Sequence, residues 1–307
     1  INESRDDDEL YKRTNAIARE LDPSRPTSGV RFMEKSSLLE DVYAYNDFSH
    51  TGNNSGCKPK KAVTTDMGKA LLISEHNGHM FPTKSFDTWQ RRQEHALRHT
   101  RVQNDAAADG QHAGCFGWCM FDYATHKDFG SGDRVCYHGV MDAFRNPKLA
   151  AYAYASQSEA KPVLAIASSM DIGDYPGGQI GDVWVFTNAD NVLLFKNDKF
   201  VTALTDGGWE GLPHGPVLLD DTVGCLLETQ EGFDKKKAEL LRSCLLTIQK
   251  KGLGNLTPAE LAKIGYAMMK YGMKQEDALA LYGKYIGNWG SEATLWRLIA
   301  VKDGMVA

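Results

Sequence analysis

Leu71-Leu72-Ile73-Ser74-Glu75 is followed at once by His76-Asn77-Gly78-His79. The apolar run has the length and composition of a buried parallel strand, and Asn-Gly is a chain-turning pair just past its end. Glu75 then stands at the C-terminal tip of that strand, which in an α/β barrel is the rim where active sites are built. An acid placed there is a candidate for chemistry. A second acid, Glu3 in Ile1-Asn2-Glu3-Ser4, stands before a helix in a similar way.

Upstream of the run, Ser4 and Asp7 make a capping-box signature. Leu10, Thr14, Ile17, Ala18 and Leu21 follow at helical spacing until Asp22-Pro23 stops them. Pro26 to Phe32 and Asp41 to Asn46 are β-prone runs, joined by a polar connection that reads as helical. The polar stretch from His50 to Lys61, with Gly52, Gly56 and Pro59, reads as a surface loop, and Lys60-Lys61 as its solvated edge. Downstream, Asp87 to Ala107 has helix-favouring composition with Trp89, Ala96, Leu97 and Val102 as its apolar face. Gly114 to Asp122 reads as the next buried strand, with Trp118 and Asp122 near its end, and Pro147 as the first turn of another helix. This βα alternation predicts a parallel sheet closed into a barrel. An open doubly wound sheet is the alternative, although no glycine-rich phosphate loop follows any strand.

Beyond Lys161-Pro162 the pattern changes. Val163 to Ala167, Val183 to Phe186 and Val192 to Phe195 are strand-like and joined by Gly, Asn and Asp turns, which predicts a β-sandwich; Asn197-Asp198 predicts a hairpin. From Gly232 the periodicity is helical, with Leu240, Leu241, Cys244, Leu245 and Ile248 on one face. Thr257-Pro258-Ala259-Glu260 combines an N-cap, a first-turn proline and a capping-box acid. Thr294 to Ala300 alternates again and meets an Asp303-Gly304 turn. The fold class expected is therefore α/β plus all-β, divided at 1–158, 159–231, 232–291 as a helical insertion, and 292–307 as the resumed sandwich strand.

The 307 residues are 42% hydrophobic and 24% charged, with a net charge of −5. A chain of this size buries a sizeable core, and its charge gives no reason to expect a nucleic-acid or anionic-membrane partner. No apolar run approaches the roughly 20 residues of a membrane span. Six scattered cysteines fit free thiols in a reducing compartment, so a cytoplasmic location is expected. Cys115 and Cys119 lack the spacing of a zinc knuckle, and neither a metal nor a cofactor is expected. The chain opens on Ile1 without an initiator methionine, with Asn2-Glu3 resembling a strand end, and is expected to be a fragment.

Two carboxylates facing each other across a barrel rim are what retaining glycoside hydrolysis requires. One protonates the leaving oxygen and the other attacks the anomeric carbon, at a separation of about 5 to 5.5 Å. An aromatic ring such as Trp118 stacks on the apolar C–H face of a sugar while Asn and His side chains bind its hydroxyls.

The residues that carry these features resemble the catalytic domain of glycoside hydrolase family 2: Asn2-Glu3, Leu72-Ile73-Ser74-Glu75, Gly114 to Asp122 containing Trp118, and His138 to Asp142 leading to Arg145-Asn146-Pro147-Lys148. Val185 to Asp190 and Leu193 to Lys199 resemble the immunoglobulin-like domain that follows the barrel in that family. The resemblance covers roughly residues 1 to 210 and 292 to 307, and the helices between do not match. It implies the C-terminal half of a TIM (β/α)8 barrel followed by an immunoglobulin-like β-sandwich with a helical insertion. By position it implies Glu3 as acid/base, Glu75 as nucleophile and Asn2 as a ligand of the sugar's 2-hydroxyl. Trp118 would line the subsite for the cleaved sugar, and Tyr45 and Asn46 would supply hydroxyl contacts. His79 resembles a sugar-binding histidine of β-galactosidases at slightly different spacing.

The Asn-x-Lys pattern of the β-glucuronidase branch is absent where Gly132-Asp133-Arg134-Val135-Cys136 stands. That order puts β-galactosidase first, β-mannosidase or another β-glycosidase behind it, and β-glucuronidase lower. The partner implied is a β-galactoside, with a homo-oligomer or pairing with the other barrel half to complete the site. The isolated chain is expected to be inactive, since half a barrel leaves sheet edges and apolar interior exposed. A non-catalytic carbohydrate-binding or scaffold protein on the same fold is the reading from another class.

Overall fold

The computed structural model describes residues 5–49, 56–78, 81–125, 134–170, 180–205, 207–287 and 293–307. The chain divides into two compact units, Ile1–Gln157 with Gly208–Pro213, and Ser158–Gly207 with His214–Ala307.

The first unit opens with helix α1 (Asp8–Leu21), whose N-cap is Asp7: its carboxylate accepts from Leu10 N at 3.0 Å. The capping box expected from Ser4 and Asp7 would cap the helix at Ser4; the helix instead begins three residues later, with Asp7 as the cap and residues 5–7 non-helical. Asp8 and Glu9 in the first turn and Arg19 in the last oppose the helix dipole with the favourable signs. Tyr11 anchors the helix. Its hydroxyl donates to Val30 O at 2.6 Å and its ring lies 3.1 Å under the Arg31 guanidinium.

Among the described residues of this unit, four parallel strands lie side by side in chain order: β1 (Ser28–Arg31), β2 (Val42–Asp47), β3 (Ala70–His76) and β4 (His112–Gly117). Strand alternation sends Tyr43 and Tyr45 of β2 and Leu71 and Ile73 of β3 to one buried cluster. Helix α2 (Lys60–Val63) lies between β2 and β3 and adds Val63 to that cluster. Helix α3 (Trp89–Ala108), capped by Thr88, returns the chain from β3 to β4. Beyond β4 come a two-strand ribbon, β5 (Tyr123–Ala124) with β6 (Val135–Cys136), and helix α4 (Leu149–Ala155), which packs on α3.

Several expectations need correction here. No helix joins β1 to β2; the link is too short for a crossover helix, which takes a dozen or more residues with its turns. The link is held instead by a buried ion pair between Arg31 and Glu40 at 3.2 Å, with Arg31 also donating to Gly29 O at 2.9 Å. Lys60 is no solvated edge: only 5% exposed, it donates to Met67 O at 3.0 Å and to Lys69 O. Carbonyl oxygens replace the water it loses, as burial of an ammonium requires.

The strand expected through Asp122 ends at Gly117, and its Phe116 is 62% exposed. Asp122 leaves the sheet to meet Lys148 Nζ at 2.6 Å. The last helix of the unit starts at Leu149, not in the turn of Pro147, because Lys148 occupies the cap position and sends its side chain to Asp122.

In the second unit, β10 (Lys199–Leu204), β9 (Asn191–Lys196), β12 (Trp296–Lys302) and β13 (Met305–Val306) form one antiparallel sheet. A second contains β11 (Val217–Leu219), β8 (Val183–Thr187) and β7 (Leu164–Ile166). Both expected turns are present: Asn197 and Asp198 have φ of 46° and 60°, and Asp303 and Gly304 have 51° and 74°. Paired positive φ values match the right-handed twist of the strands they join.

Between β11 and β12 lie α5 (Leu226–Thr229), α6 (Lys235–Lys251), α7 (Pro258–Lys270) and α8 (Gln275–Tyr285). Thr257 and Glu260 close the capping box that their spacing predicts. Leu241, Cys244 and Leu245 of α6 join Val183, Val185, Val192 and Leu194 of the sheets in one hydrophobic core, so the helices share the core of the strands around them. Strand β12 runs beside β9 from Trp296 opposite Lys196 to Val301 opposite Asn191, across some hundred residues of chain.

Candidate active site

Because β1 to β4 are parallel, their C-terminal tips share one end of the sheet, and three of the predicted residues come together there. Asn46 is in the last turn of the pleat of β2, Glu75 is opposite it on β3, and Trp118 follows β4 directly. Asn46, 2% exposed, donates from Nδ2 to Glu75 Oε2 at 3.1 Å, and its Oδ1 accepts from Ser74 Oγ at 2.9 Å. Glu75 is half-buried. Past it the chain turns on Asn77 and Gly78, whose φ values are 68° and 36°. A Cβ on Gly78 would lie 3.4 Å from Glu75 Oε1, so this turn closes against the carboxylate.

Trp118 is 43% exposed and held in place from two sides. Its backbone N donates to His76 O at 2.8 Å, which keeps it alongside β3 after the strand ends. Its Nε1 donates to the Tyr123 hydroxyl at 3.1 Å, with the two rings edge to face at 6.2 Å. The Trp118-Cys119 peptide is cis. An exposed, oriented indole next to a strand-tip carboxylate can stack on a sugar face.

Tyr45 is placed elsewhere: 3% exposed, it packs in the cluster of Tyr43, Leu71 and Ile73, and burial pushes its phenol above the usual range. Asn2, Glu3 and His79 lie outside the described residues. Asp47, next to Asn46, is fully buried and accepts from Ser49 N at 2.8 Å and Lys58 N at 2.7 Å, which anchors the loop leaving β2.

Beneath the tips lies a group of buried aromatic nitrogens that sequence reading missed. His76 meets His99 edge to face at 5.6 Å, His99 meets His95 at 5.1 Å, and His99 Nδ1 is 2.9 Å from the Tyr154 hydroxyl. Gly117 makes room for this contact, since a Cβ there would sit 2.3 Å from Tyr154 Oη. The four-residue spacing of His95 and His99 on one helical run was the available signal. Burial pushes the pKa of His76 down to about 4 and that of His95 down to about 3, from an ordinary 6.5.

Both imidazoles are therefore neutral in the folded protein at neutral pH. Below about pH 6.5 the unfolded chain takes up protons on them and the folded chain does not, so stability present above that pH is lost as pH falls toward 4 and 3. Acid titration of unfolding stability is expected to show a loss on the order of a few kcal/mol over this window, reduced in a His95→Gln variant. A flat profile between pH 7 and 4 would contradict the assignment.

All six cysteine thiols are free, and burial raises Cys115 and Cys119 to about 11 and Cys57 to about 12, which removes them as nucleophiles. Among the described residues, no three His, Cys, Asp or Glu side chains are arranged to hold a metal ion. No helix among them is long and apolar enough to cross a membrane.

No family model matches the sequence. The chain is 46% identical over 226 residues to the β-galactosidase of Thermoanaerobacterium thermosulfurigenes, a match covering 72% of this chain and 32% of that protein. It is 42% identical over 221 residues to the β-galactosidase of Thermoanaerobacter pseudethanolicus, covering 70% and 29%. The chain thus spans about a third of the length of the curated relatives it matches. Among solved structures, a β-glucuronidase of Parabacteroides merdae with glycerol in its active site superposes with a TM-score of 0.50 at 17% identity. That match covers 69% of this chain and 30% of that one, and it is a likeness of fold.

Proposed function

We propose that this chain is part of a longer retaining β-glycosidase of glycoside hydrolase family 2, with β-galactosidase as its activity. The observation that carries the reading is the 46% identity over 226 residues to a β-galactosidase. The site supports it: a carboxylate at the tip of a parallel strand, hydrogen-bonded by a neighbouring amide and accompanied by an exposed indole. In this proposal β1 to β4 are strands of the second half of a (β/α)8 barrel, and the two antiparallel sheets belong to the immunoglobulin-like domain that follows. The chain's coverage of about a third of its relatives is what a fragment of such an enzyme would show.

The mechanism proposed is double displacement. Glu75 attacks the anomeric carbon as the glycosidic bond breaks, while Glu3 delivers a proton to the departing oxygen, leaving a covalent glycosyl-enzyme ester. Glu3, now a carboxylate, takes a proton from water, which attacks the same carbon and releases Glu75. Two inversions return the sugar in its original β configuration. Trp118 stacks on the sugar, and Asn2 and His79 bind its hydroxyls.

The test is a panel of nitrophenyl β-glycosides with the full-length protein, following the anomer first released by NMR. Turnover is expected to be fastest on the β-galactoside, with the β anomer appearing first. Initial release of the α anomer, or no turnover of any glycoside by folded protein, would overturn the proposal.

A further inference from the structure

The β2–β3 pairing is irregular at one point. Tyr45 of β2 lies opposite Ile73 of β3, but the next residue, Asn46, lies opposite Glu75, so Ser74 is an extra residue in β3. On the other edge of β3 the pairing slips in the same interval, from Ile73 opposite Cys115 to His76 opposite Gly117. Successive side chains of a regular strand point to opposite faces, which would part Ser74 from Glu75. A bulge re-aims a side chain locally, and here it brings both residues to one partner. Ser74 Oγ is 2.9 Å from Asn46 Oδ1, and Asn46 Nδ2 is 3.1 Å from Glu75 Oε2.

The donor and acceptor inventory fixes the direction of this chain of contacts. An ionised carboxylate only accepts, so the amide must present its NH2 to Glu75 and its carbonyl oxygen to Ser74. The serine hydroxyl then donates to that oxygen and holds the amide plane from its far end. Asn46 is 2% exposed, so bulk water does not readily take over the role of the hydroxyl. We infer that Ser74 is a positioning residue, holding the Asn46 amide so that it fixes one oxygen of the Glu75 carboxylate. The inference rests on the reading of Glu75 as nucleophile. Its physical content is orientation: a misplacement of a reacting group by a fraction of an ångström to 1 Å costs rate more than binding.

The experiment compares Ser74→Thr with Ser74→Val in the full-length protein. The two replacements are nearly isosteric and both suit a strand, but only threonine keeps the hydroxyl. Ser74→Thr is expected to keep kcat within about twofold of the parent. Ser74→Val is expected to lower kcat about tenfold, with KM changed less than about twofold, since the interaction serves the reacting state. In an Asn46→Ala background, Ser74→Ala is expected to add no further loss, because its effect runs through the amide. Equal kcat for the Thr and Val variants, a loss confined to KM, or additive effects in the Asn46→Ala background would each overturn the inference. If the valine variant does not fold, the Asn46→Ala comparison decides. Glu75→Gln separates the two levels: turnover close to the parent's there refutes the nucleophile reading. A dead Glu75→Gln with indifferent Ser74 variants refutes only the role of Ser74.

Discussion

Glu75→Gln in the full-length protein is expected to lower turnover of a β-galactoside by roughly 10⁴-fold or more while leaving the fold intact. The amide has nearly the shape of the carboxylate but cannot form the glycosyl ester, so the first displacement loses its nucleophile. The local structure should tolerate the change. Glu75 is half-buried, and the side chain's carbonyl oxygen can still accept from Asn46 Nδ2, which is 3.1 Å from Oε2 in the parent. A melting temperature within a few degrees of the parent, together with lost turnover and lost covalent labelling by a 2-fluoro glycoside, is the expected pattern. Turnover close to the parent's would remove Glu75 from the nucleophile role and with it the proposed mechanism.

Lys148→Met is expected to be the most destabilising single substitution near the site, by about 3–5 kcal/mol. Lys148 Nζ lies 2.6 Å from Asp122 Oδ1 and 2.7 Å from Thr83 O, and the charged side chains are only 3% and 4% exposed. Burial pushes the Asp122 carboxyl up and the Lys148 ammonium down, and their mutual hydrogen bond opposes both shifts. Removing the lysine leaves a buried carboxylate that keeps the hydrogen bond from Gly139 N at 2.9 Å but has lost its neutralising cation.

The segment that carries Trp118 runs directly into Asp122, so activity should fall along with stability. Asp122→Leu combined with Lys148→Met is expected to recover a large part of the loss, since an apolar pair of similar volume carries no desolvation cost. Denaturant unfolding of the two single variants and the double variant measures this coupling. Additive losses in the double variant would show that the pair does not act as a unit.

The parts legible in the sequence were those with local causes. The run from Leu71 to Glu75 reads as a strand because three successive apolar residues, Leu71 to Ile73, lie just before a turn, and Asn77-Gly78 does turn there with both φ values positive. The Asn197-Asp198 hairpin and the Thr257 capping box are likewise decided within four residues of chain. Where the reading failed, the cause lay far away. Gly114 to Asp122 looks like one strand, yet it breaks after Gly117 because Asp122 pairs with a lysine 26 residues on. Lys60 looks solvated because its carbonyl partners, on Met67 and Lys69, become neighbours only when the chain folds back.

By itself, then, the sequence determined where apolar runs, caps and turns set individual elements, and which acid stands at a strand tip, because those depend on steric and hydrogen-bonding preferences of adjacent residues. Only the tertiary structure decided that β3 carries an extra residue at Ser74, that Asn46 and not Tyr45 faces Glu75, and that His76, His95 and His99 meet beneath them. Strand register and burial are properties of pairs of segments. A one-residue slip exchanges the two faces of a strand, and no local preference records it.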